Sequence, residues 1–105
     1  MKTENKEISA IEVTSFKLNS HTIDDFITIN KPIDVWLKQQ PGFKSRHIAQ
    51  QRDGRIQDIL LWDSVQEGSD SMHRLMDEFS DSPIHHMIDQ STVLWNIWPV
   101  WHEIV

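Results

Sequence analysis

Residues 43–62, FKSRHIAQQRDGRIQDILLW, predict a β-hairpin near the centre of the chain. Residues 43–51 and 56–62 are the two strand candidates, and Asp53-Gly54 between them is typical of a two-residue type I′ turn. In such a turn Arg52 faces Arg55, and this pair fixes which residues of the two strands lie opposite each other. The hairpin therefore gives both a pair of antiparallel strands and a predicted register.

The part of the chain before the hairpin predicts a strand followed by helix. Residues 8–18 suit a strand, and Thr22 with Asp25 three positions later resembles the capping box at a helix start. Apolar residues then recur at helical spacing up to the hairpin. Pro32 lies inside this stretch, so it either kinks one helix or opens a second helix after Asn30.

The part after the hairpin predicts a second helix and a last strand. Ser64 with Glu67 is another capping box, and a stripe of apolar residues follows at i, i+3, i+4 and i+7: Met72, Leu75, Met76 and Phe79. Ser82-Pro83 breaks this helix, and a short continuation is expected before a strand at residues 92–101.

The predicted order of elements, β-α-β-β-α-β, indicates an α+β fold. It is the ferredoxin-like arrangement, in which a four-stranded antiparallel sheet carries both helices on one face. A length of 105 residues suits one domain. We expect residues 1–7 to form a flexible tail and residues 8–105 to form the domain.

Two predicted strands are apolar on both faces. The runs Ile59-Leu60-Leu61-Trp62 and Val93-Leu94-Trp95 are continuous, whereas a sheet with one face in water should alternate. Two helices cover only one face, so the other face needs a second sheet, and a partner subunit is its simplest source. A terminal segment folded over the open face is the alternative. We predict a homodimer that forms a dimeric α+β barrel.

Composition excludes several classes of partner. The net charge is −6 and the 10 basic residues are scattered, which argues against nucleic acid. Cysteine is absent, so disulfides, thiol nucleophiles and Cys-ligated metals are not expected. No signal peptide and no apolar run of bilayer-spanning length is found, which predicts a cytoplasmic protein without a membrane partner.

The predicted register suggests a candidate catalytic pair. It places His47 diagonal to Asp58 and Trp62 on the helix-covered face. It assigns four other residues to the subunit contact: Arg46, Ile48, Ile59 and Leu61. An aspartate can orient a histidine ring and raise its basicity, as acid/base catalysis requires. A hydrogen bond that satisfies two half-buried polar groups is the alternative.

The remaining histidines do not predict a metal site. His85 and His86 are neighbours, and neighbours on a helix point about 100° apart, so they chelate poorly together. No pair of histidines has the i, i+4 spacing of helical zinc ligands. His85 borders an apolar stripe and is a further candidate for an acid/base group.

Three segments carry a resemblance to a known family: residues 36–46 (WLKQQPGFKSR), 52–55 (RDGR) and 58–64 (DILLWDS). They resemble antibiotic-biosynthesis-monooxygenase-like proteins of the dimeric α+β barrel superfamily, in an uncharacterised bacterial branch. The resemblance runs from about residue 10 to residue 95. It implies two sheets back to back across a dimer, with a cavity between the sheet and helices of each subunit.

Some members of that superfamily oxidise aromatic polyketides without a cofactor, and others degrade haem. The haem-degrading members use an Asn on the first strand, a Trp at the end of the third and a His on the second helix. Trp62 matches the Trp, Thr14 stands at the position of the Asn, and His73 lies on the corresponding helix. The set is incomplete here, and we predict no cofactor.

Two functions follow from these observations. The first is binding of a small apolar or aromatic molecule in the cavity, with contacts from Thr14, Phe16, Trp36, Trp62 and Met76. The alternative is a cofactor-independent monooxygenase or isomerase acting on an aromatic substrate. In that alternative the acid/base group is His47 with Asp58, or else His85, and Trp62 is an aromatic wall.

Overall fold

A computed structural model describes residues 8–105; the predicted tail at residues 1–7 lies outside them. The strands are β1 (Ser9–Leu18), β2 (Phe43–Gln50), β3 (Ile56–Trp62) and β4 (Ile88–Val100). The helices are α1 (Ile23–Ile29), α2 (Lys31–Leu37), α3 (Val65–Glu78) and α4 (Ile84–Met87). The four strands pair antiparallel in the order β2-β3-β1-β4, so the predicted ferredoxin-like α+β fold is confirmed.

Both predicted capping signals start helices. The Thr22 hydroxyl accepts a hydrogen bond from the Asp25 backbone N–H at 3.1 Å, and the Asp25 carboxylate accepts one from the Thr22 N–H at 3.3 Å. The Ser64 hydroxyl accepts from the Glu67 N–H at 3.1 Å. These bonds satisfy backbone donors that the first turn of a helix leaves without a partner.

Pro32 opens a second helix and does not kink a single one. Helix α1 ends before Asn30 and α2 begins at Lys31, with Pro32 in its first turn. At that position the missing proline N–H costs no intrahelical bond. Asn30 lies at the junction and is fully buried. The junction therefore places an amide side chain in the interior, where it becomes part of the site.

The hairpin loop has three residues, so the predicted two-residue turn is wrong. The Gln51 N–H donates to the Arg55 carbonyl at 2.8 Å, which leaves Arg52, Asp53 and Gly54 as the loop. Gly54 has a φ of +93°, as in a three-residue hairpin loop that ends in a left-handed residue. Asp-Gly fits both loop lengths, because its glycine supplies a positive φ in each.

The extra loop residue reverses the predicted faces of β2 from Gln50 to Ser45, where the register shifts again before Phe43. Arg46 pairs with Leu60, His47 with Ile59 and Ile48 with Asp58. A shift of one residue moves every side chain to the opposite face. Arg46 and Ile48 therefore lie under the helices and His47 lies on the open face, and our predictions for these three residues are wrong. On β3 the side chains lie on the faces that we predicted for them: Asp58, Ile59, Leu61 and Trp62.

The helices pack tightly on one face of the sheet. Phe16 of β1 and Phe26 of α1 are buried with their ring centroids 5.2 Å apart. Gly68 brings α3 close to the sheet, because a Cβ at this position would lie 2.6 Å from Ile97 and 2.8 Å from Trp62. This close approach fixes one end of the helix layer, and the space beneath the other end becomes a cavity.

The other face of the sheet, which we call the open face, carries a group of apolar side chains that no helix covers. Ile11, Val13, Ile59 and Leu61 lie on it, beside Leu94 and Trp98 of the edge strand β4. Leu94 is 61% exposed and Trp98 is 49% exposed. Residues 101–105 are themselves exposed, and Glu103 reaches one end of this face, where it accepts a hydrogen bond from the Ser9 hydroxyl at 3.3 Å. Within residues 8–105 no helix is long and apolar enough to cross a membrane.

Candidate functional site

A cavity of about 420 Å³ lies between the sheet and the helices. Its floor includes Thr14, Asp58 and Trp95 from three neighbouring strands, and Phe16 and Phe26 form part of its wall. The volume falls within the range of roughly 300–1,000 Å³ that is usual for small-molecule sites.

Helix α3 supplies the roof through its apolar stripe. All four members of the predicted stripe line the cavity: Met72, Leu75, Met76 and Phe79. Residues at this spacing share one face of a helix. Met76 is 57% exposed, which places it where the cavity meets solvent. The stripe thus faces an unfilled space where a fully packed core would otherwise be expected.

Four residues form a polar group, which we call the Arg46 cluster: Arg46, Asp58, Asn30 and Asp34. All of them except Asp34 line the cavity. Arg46 Nε donates to Asp58 Oδ1 at 3.0 Å and Arg46 Nη2 donates to Asp58 Oδ2 at 2.7 Å. Two parallel bonds of this kind hold a guanidinium and a carboxylate in one plane. Nη1 donates to Asp34 Oδ1 at 2.7 Å, and Nη2 also donates to Asn30 Oδ1 at 2.8 Å.

Burial and pairing act in opposite directions on Arg46. Burial disfavours the charged guanidinium, but the hydrogen bonds and charges of Asp58 and Asp34 outweigh it and raise the pKa of Arg46. The side chains of Arg46 and Asp58 are only 10% and 11% exposed. Asn30 is held in turn, because its Nδ2 donates to the Phe26 carbonyl at 2.8 Å. The cluster is therefore charged and fixed in position, and all of its members except Asp34 are buried.

A second buried acid, Glu12, stands behind the cavity wall. Its Oε1 accepts a hydrogen bond from Trp62 Nε1 at 2.8 Å, and its Oε2 accepts one from Trp95 Nε1 at 2.6 Å. Burial raises the pKa of Glu12, while the two indole bonds oppose that shift. Because Trp95 lines the cavity, Glu12 fixes the orientation of one aromatic wall from behind.

His85 lines the cavity from α4. Its Nε2 lies 2.8 Å from the Phe79 carbonyl oxygen. A carbonyl oxygen only accepts, so we assign a proton to Nε2, which donates it to this bond. His73 of α3 lines the cavity as well.

Several of the predicted site residues meet at this cavity. Thr14, Phe16, Met76, Asp58 and His85 all line it. The prediction of Asp58 came from the hairpin register, whereas those of Met76 and His85 came from apolar stripes and that of Thr14 from the family resemblance.

Three other predicted residues lie elsewhere. Trp62 is fully buried behind the wall, and Trp36 packs edge-on against Phe79 with ring centroids 5.9 Å apart. His47 is exposed on the open face, so the predicted contact between His47 and Asp58 is wrong. Asp58 is instead bound by Arg46.

Sequence reasoning missed Arg46, Asn30, Asp34 and Glu12 as site residues. Glu12 carried a usable signal, since it occupies an inward position of β1 between Ala10 and Thr14. Across residues 8–105 no group of three or more His, Cys, Asp or Glu side chains is placed to hold a metal ion.

No protein-family model matches the sequence, and no curated protein matches it either. Solved structures do match the fold. SnoaB, a cofactor-independent oxygenase from Streptomyces nogalater, has a TM-score of 0.72 at 12% identity, over 91% of this chain and 96% of its own. A monooxygenase of Streptomyces coelicolor in complex with nanaomycin D has a TM-score of 0.66 at 15% identity, over 96% and 95%.

A dimeric ferredoxin-like protein from an uncultured marine organism has a TM-score of 0.69 at 14% identity, over 95% of this chain and 94% of its own. Antibiotic-biosynthesis-monooxygenase-like proteins are among the other matches. The predicted resemblance is therefore confirmed as a shared ferredoxin-like fold. Identities this low show the fold alone, so the site must be interpreted from its own residues.

Proposed function

We propose that this protein is a homodimer that binds a small apolar or aromatic molecule in the cavity between its sheet and helices. The observation that carries the proposal is the cavity itself, about 420 Å³ with an apolar wall and with Arg46, Asp58 and Asn30 gathered at one end. Such a combination gives affinity through burial and orientation through a few polar contacts.

The wall suits a flat ligand that the protein can adjust to. Phe16, Phe26 and Trp95 offer aromatic surface, and rings pack on rings in offset or edge-on arrangements. Met72 and Met76 on the roof are flexible and polarisable, so they adapt to the outline of a bound molecule.

The open face supports the homodimer. Exposed Leu94 and Trp98 continue an apolar surface with Ile11 and Leu61, and large apolar patches on soluble proteins usually mark interaction sites. One protein with the same fold is described as dimeric. Sedimentation at micromolar concentration should give a dimer, and a single monomeric species would rule out this part of the proposal.

Ligand binding is tested by titrating the protein with 2-naphthamide and following tryptophan fluorescence, since Trp95 lines the cavity. Thr14→Phe places a ring in the cavity and should weaken binding by on the order of tenfold or more, because it fills the space that the ligand needs. Val35→Phe is the matched control, since Val35 is 62% exposed on α2 and should leave binding unchanged. Equal affinity of the Thr14→Phe variant and the wild type would show that the ligand binds elsewhere.

Cofactor-independent oxygenation or isomerisation of an aromatic substrate is the second candidate function. It is favoured by His85, which lines the cavity, and by Asp58, which can accept a hydrogen bond from a substrate hydroxyl. SnoaB, which shares the fold, is a cofactor-independent oxygenase. The catalytic role of His47 depended on a contact with Asp58 that does not form, so His47 has no part in this candidate.

Oxygen uptake with anthrones and quinols tests the second candidate. His85→Ala should reduce turnover at least about a hundredfold if His85 is the acid/base group, whereas His86→Ala, its exposed neighbour, should not. If the wild-type protein turns over none of these substrates, the second candidate is ruled out and only the binding function remains.

A further inference from the structure

We infer that this cavity discriminates against anions: it accepts uncharged apolar molecules that carry a hydrogen-bond donor and rejects their carboxylate analogues. The inference rests on the proposed function, because it concerns the ligand of the same cavity. It starts from the charges around the polar end, where a cation would ordinarily suggest a site for an acidic ligand.

Arg46 is the residue that a carboxylate ligand would need, and its donors are already engaged. A guanidinium has five N–H donors. Four of the Arg46 donors already have acceptors in Asp58, Asn30 and Asp34. They are the Nε hydrogen, both Nη2 hydrogens and one Nη1 hydrogen. One Nη1 hydrogen is left, which is too few for the bidentate grip that makes arginine a strong carboxylate binder.

The balance of charge also opposes an anion. The two carboxylates of Asp58 and Asp34 outnumber the single guanidinium of Arg46, so the cluster has a net negative charge. Within residues 8–105, Arg46 is the only lysine or arginine that lines the cavity. An entering carboxylate would lose its hydration without gaining a free cation, and burial of a charge under those conditions is strongly unfavourable.

An uncharged donor meets better partners. Thr14 and Asp58 are paired across β1 and β3, so their side chains stand next to each other on the cavity floor. Each Asp58 oxygen keeps a lone pair after it accepts from Arg46, and the Thr14 hydroxyl can donate or accept. A ligand hydroxyl or amide N–H can therefore donate to Asp58 without disturbing its pairing with Arg46.

The experiment compares two ligands of one shape, uncharged 2-naphthamide and anionic 2-naphthoate. Binding is measured by calorimetry at pH 8, where histidine as a residue type contributes no positive charge. Wild-type protein should bind the amide at least about tenfold more tightly than the carboxylate, a difference of about 1.4 kcal/mol. Equal or tighter binding of the carboxylate would overturn the inference and leave the proposed function intact. Binding of neither ligand would overturn both.

Two variants test whether the Arg46 cluster causes the discrimination. Asp58→Asn removes one negative charge and loosens the grip on Arg46, so affinity for the carboxylate should rise about tenfold or more relative to the amide. Asp34→Asn is the milder arm, because the Asp34 side chain is 46% exposed, and it should shift the preference in the same direction by about threefold. If the Asp58 variant fails to fold, the Asp34 variant alone tests whether the cluster causes the discrimination.

Asp77→Asn is the matched control. Asp77 is exposed on α3, and its side chain does not line the cavity, so the variant loses the same charge at a distance. It should keep the wild-type preference, because an exposed charge is screened by solvent and salt. An equal shift in the Asp77 and Asp34 variants would show that overall charge, and not the cluster, sets the preference, and would contradict the inference.

Discussion

Each face of the sheet holds some side chains of the kind that is usual for the other face. The face under the helices holds three buried ionisable side chains, Glu12, Arg46 and Asp58, whereas the open face exposes apolar side chains such as Leu94 and Trp98. In a monomeric α+β protein the covered face is normally apolar and the exposed face polar. In the proposed function, assembly and ligand binding therefore use opposite faces of one sheet.

The covered face keeps its charges because each is paired. Arg46 joins two carboxylates and one amide, and Glu12 accepts one indole N–H on each oxygen. Removal of one partner from such a group is costly, because the remaining charge stays buried without compensation. The open face has no such dependence, and changes there should act on association more than on folding.

The largest effect is expected from Arg46→Ala. It leaves Asp58, whose side chain is 11% exposed, without its guanidinium. We expect a loss of about 3–5 kcal/mol in the free energy of unfolding, measured by urea denaturation. Arg52→Ala in the exposed hairpin loop is the control and should change stability by about 0.5 kcal/mol or less. Similar small losses in both variants would show that the cluster does not support the covered face.

Trp98→Asp tests the open face. A charge on this surface should weaken dimerisation by about 2 kcal/mol or more, roughly thirtyfold in the dissociation constant, while the fold persists. Sedimentation equilibrium measures the effect. Val35→Asp removes a similarly exposed apolar residue from the helix layer and should leave the dimer intact. If Trp98→Asp dimerises as tightly as wild type, this face is not the contact.

Glu12→Gln should cost about 1–3 kcal/mol of stability near pH 4.5, because the amide NH₂ of Gln faces an indole N–H that then has no acceptor. Burial raises the pKa of Glu12 above its ordinary 4.5. A raised folded-state pKa gives stability that is complete below the unfolded value and is lost as pH rises through the folded value. The cost of the substitution should therefore shrink as pH rises.

Urea denaturation at several pH values above 4.5 measures this trend, with Glu78→Gln as the control. Glu78 also accepts an indole N–H, from Trp36 at 3.1 Å, but it is exposed. The Glu78 variant should follow the pH dependence of the wild type. A cost of Glu12→Gln that grows with pH would contradict the account of Glu12.

The smallest effect is expected from Gly54→Ala, which tests the left-handed conformation at the end of the hairpin loop. The φ of +93° is strained for any residue with a Cβ, although no atom lies within 4 Å of that position. We expect a loss of about 1 kcal/mol in unfolding free energy, and a smaller loss for Gly54→Asn, because Asn tolerates a positive φ. Equal stability of Gly54→Ala and wild type would indicate a loop without this left-handed residue.

Local signals explain what the sequence predicts well. The Thr22 and Ser64 caps, the α3 stripe and the bounds of β3 depend on neighbouring residues, and the structure has each of them as expected. The continuous apolar run in β3 likewise indicates a sheet with two apolar faces. These features need no knowledge of distant contacts.

The site depends on three features that neighbouring residues do not decide. Asp-Gly allows a two-residue or a three-residue loop, and the error of one residue placed His47 where Arg46 belongs. The Arg46 cluster also draws Asn30 and Asp34 from the junction of two helices that the sequence left open. Whether the α3 stripe meets a packed core or a cavity depends on the distance between the helix and the sheet. The spacing of apolar residues along the sequence does not determine that distance.

Native mass spectrometry of freshly purified protein tests the central claim, that one face of the sheet joins two subunits and the other encloses a ligand. We predict a species of twice the 12.4 kDa chain mass. With added 2-naphthamide, the dimer should carry up to two ligand molecules. It should still carry them a few seconds after the solution is diluted into ligand-free buffer. A species of one chain mass that takes up no ligand would contradict the account on both faces.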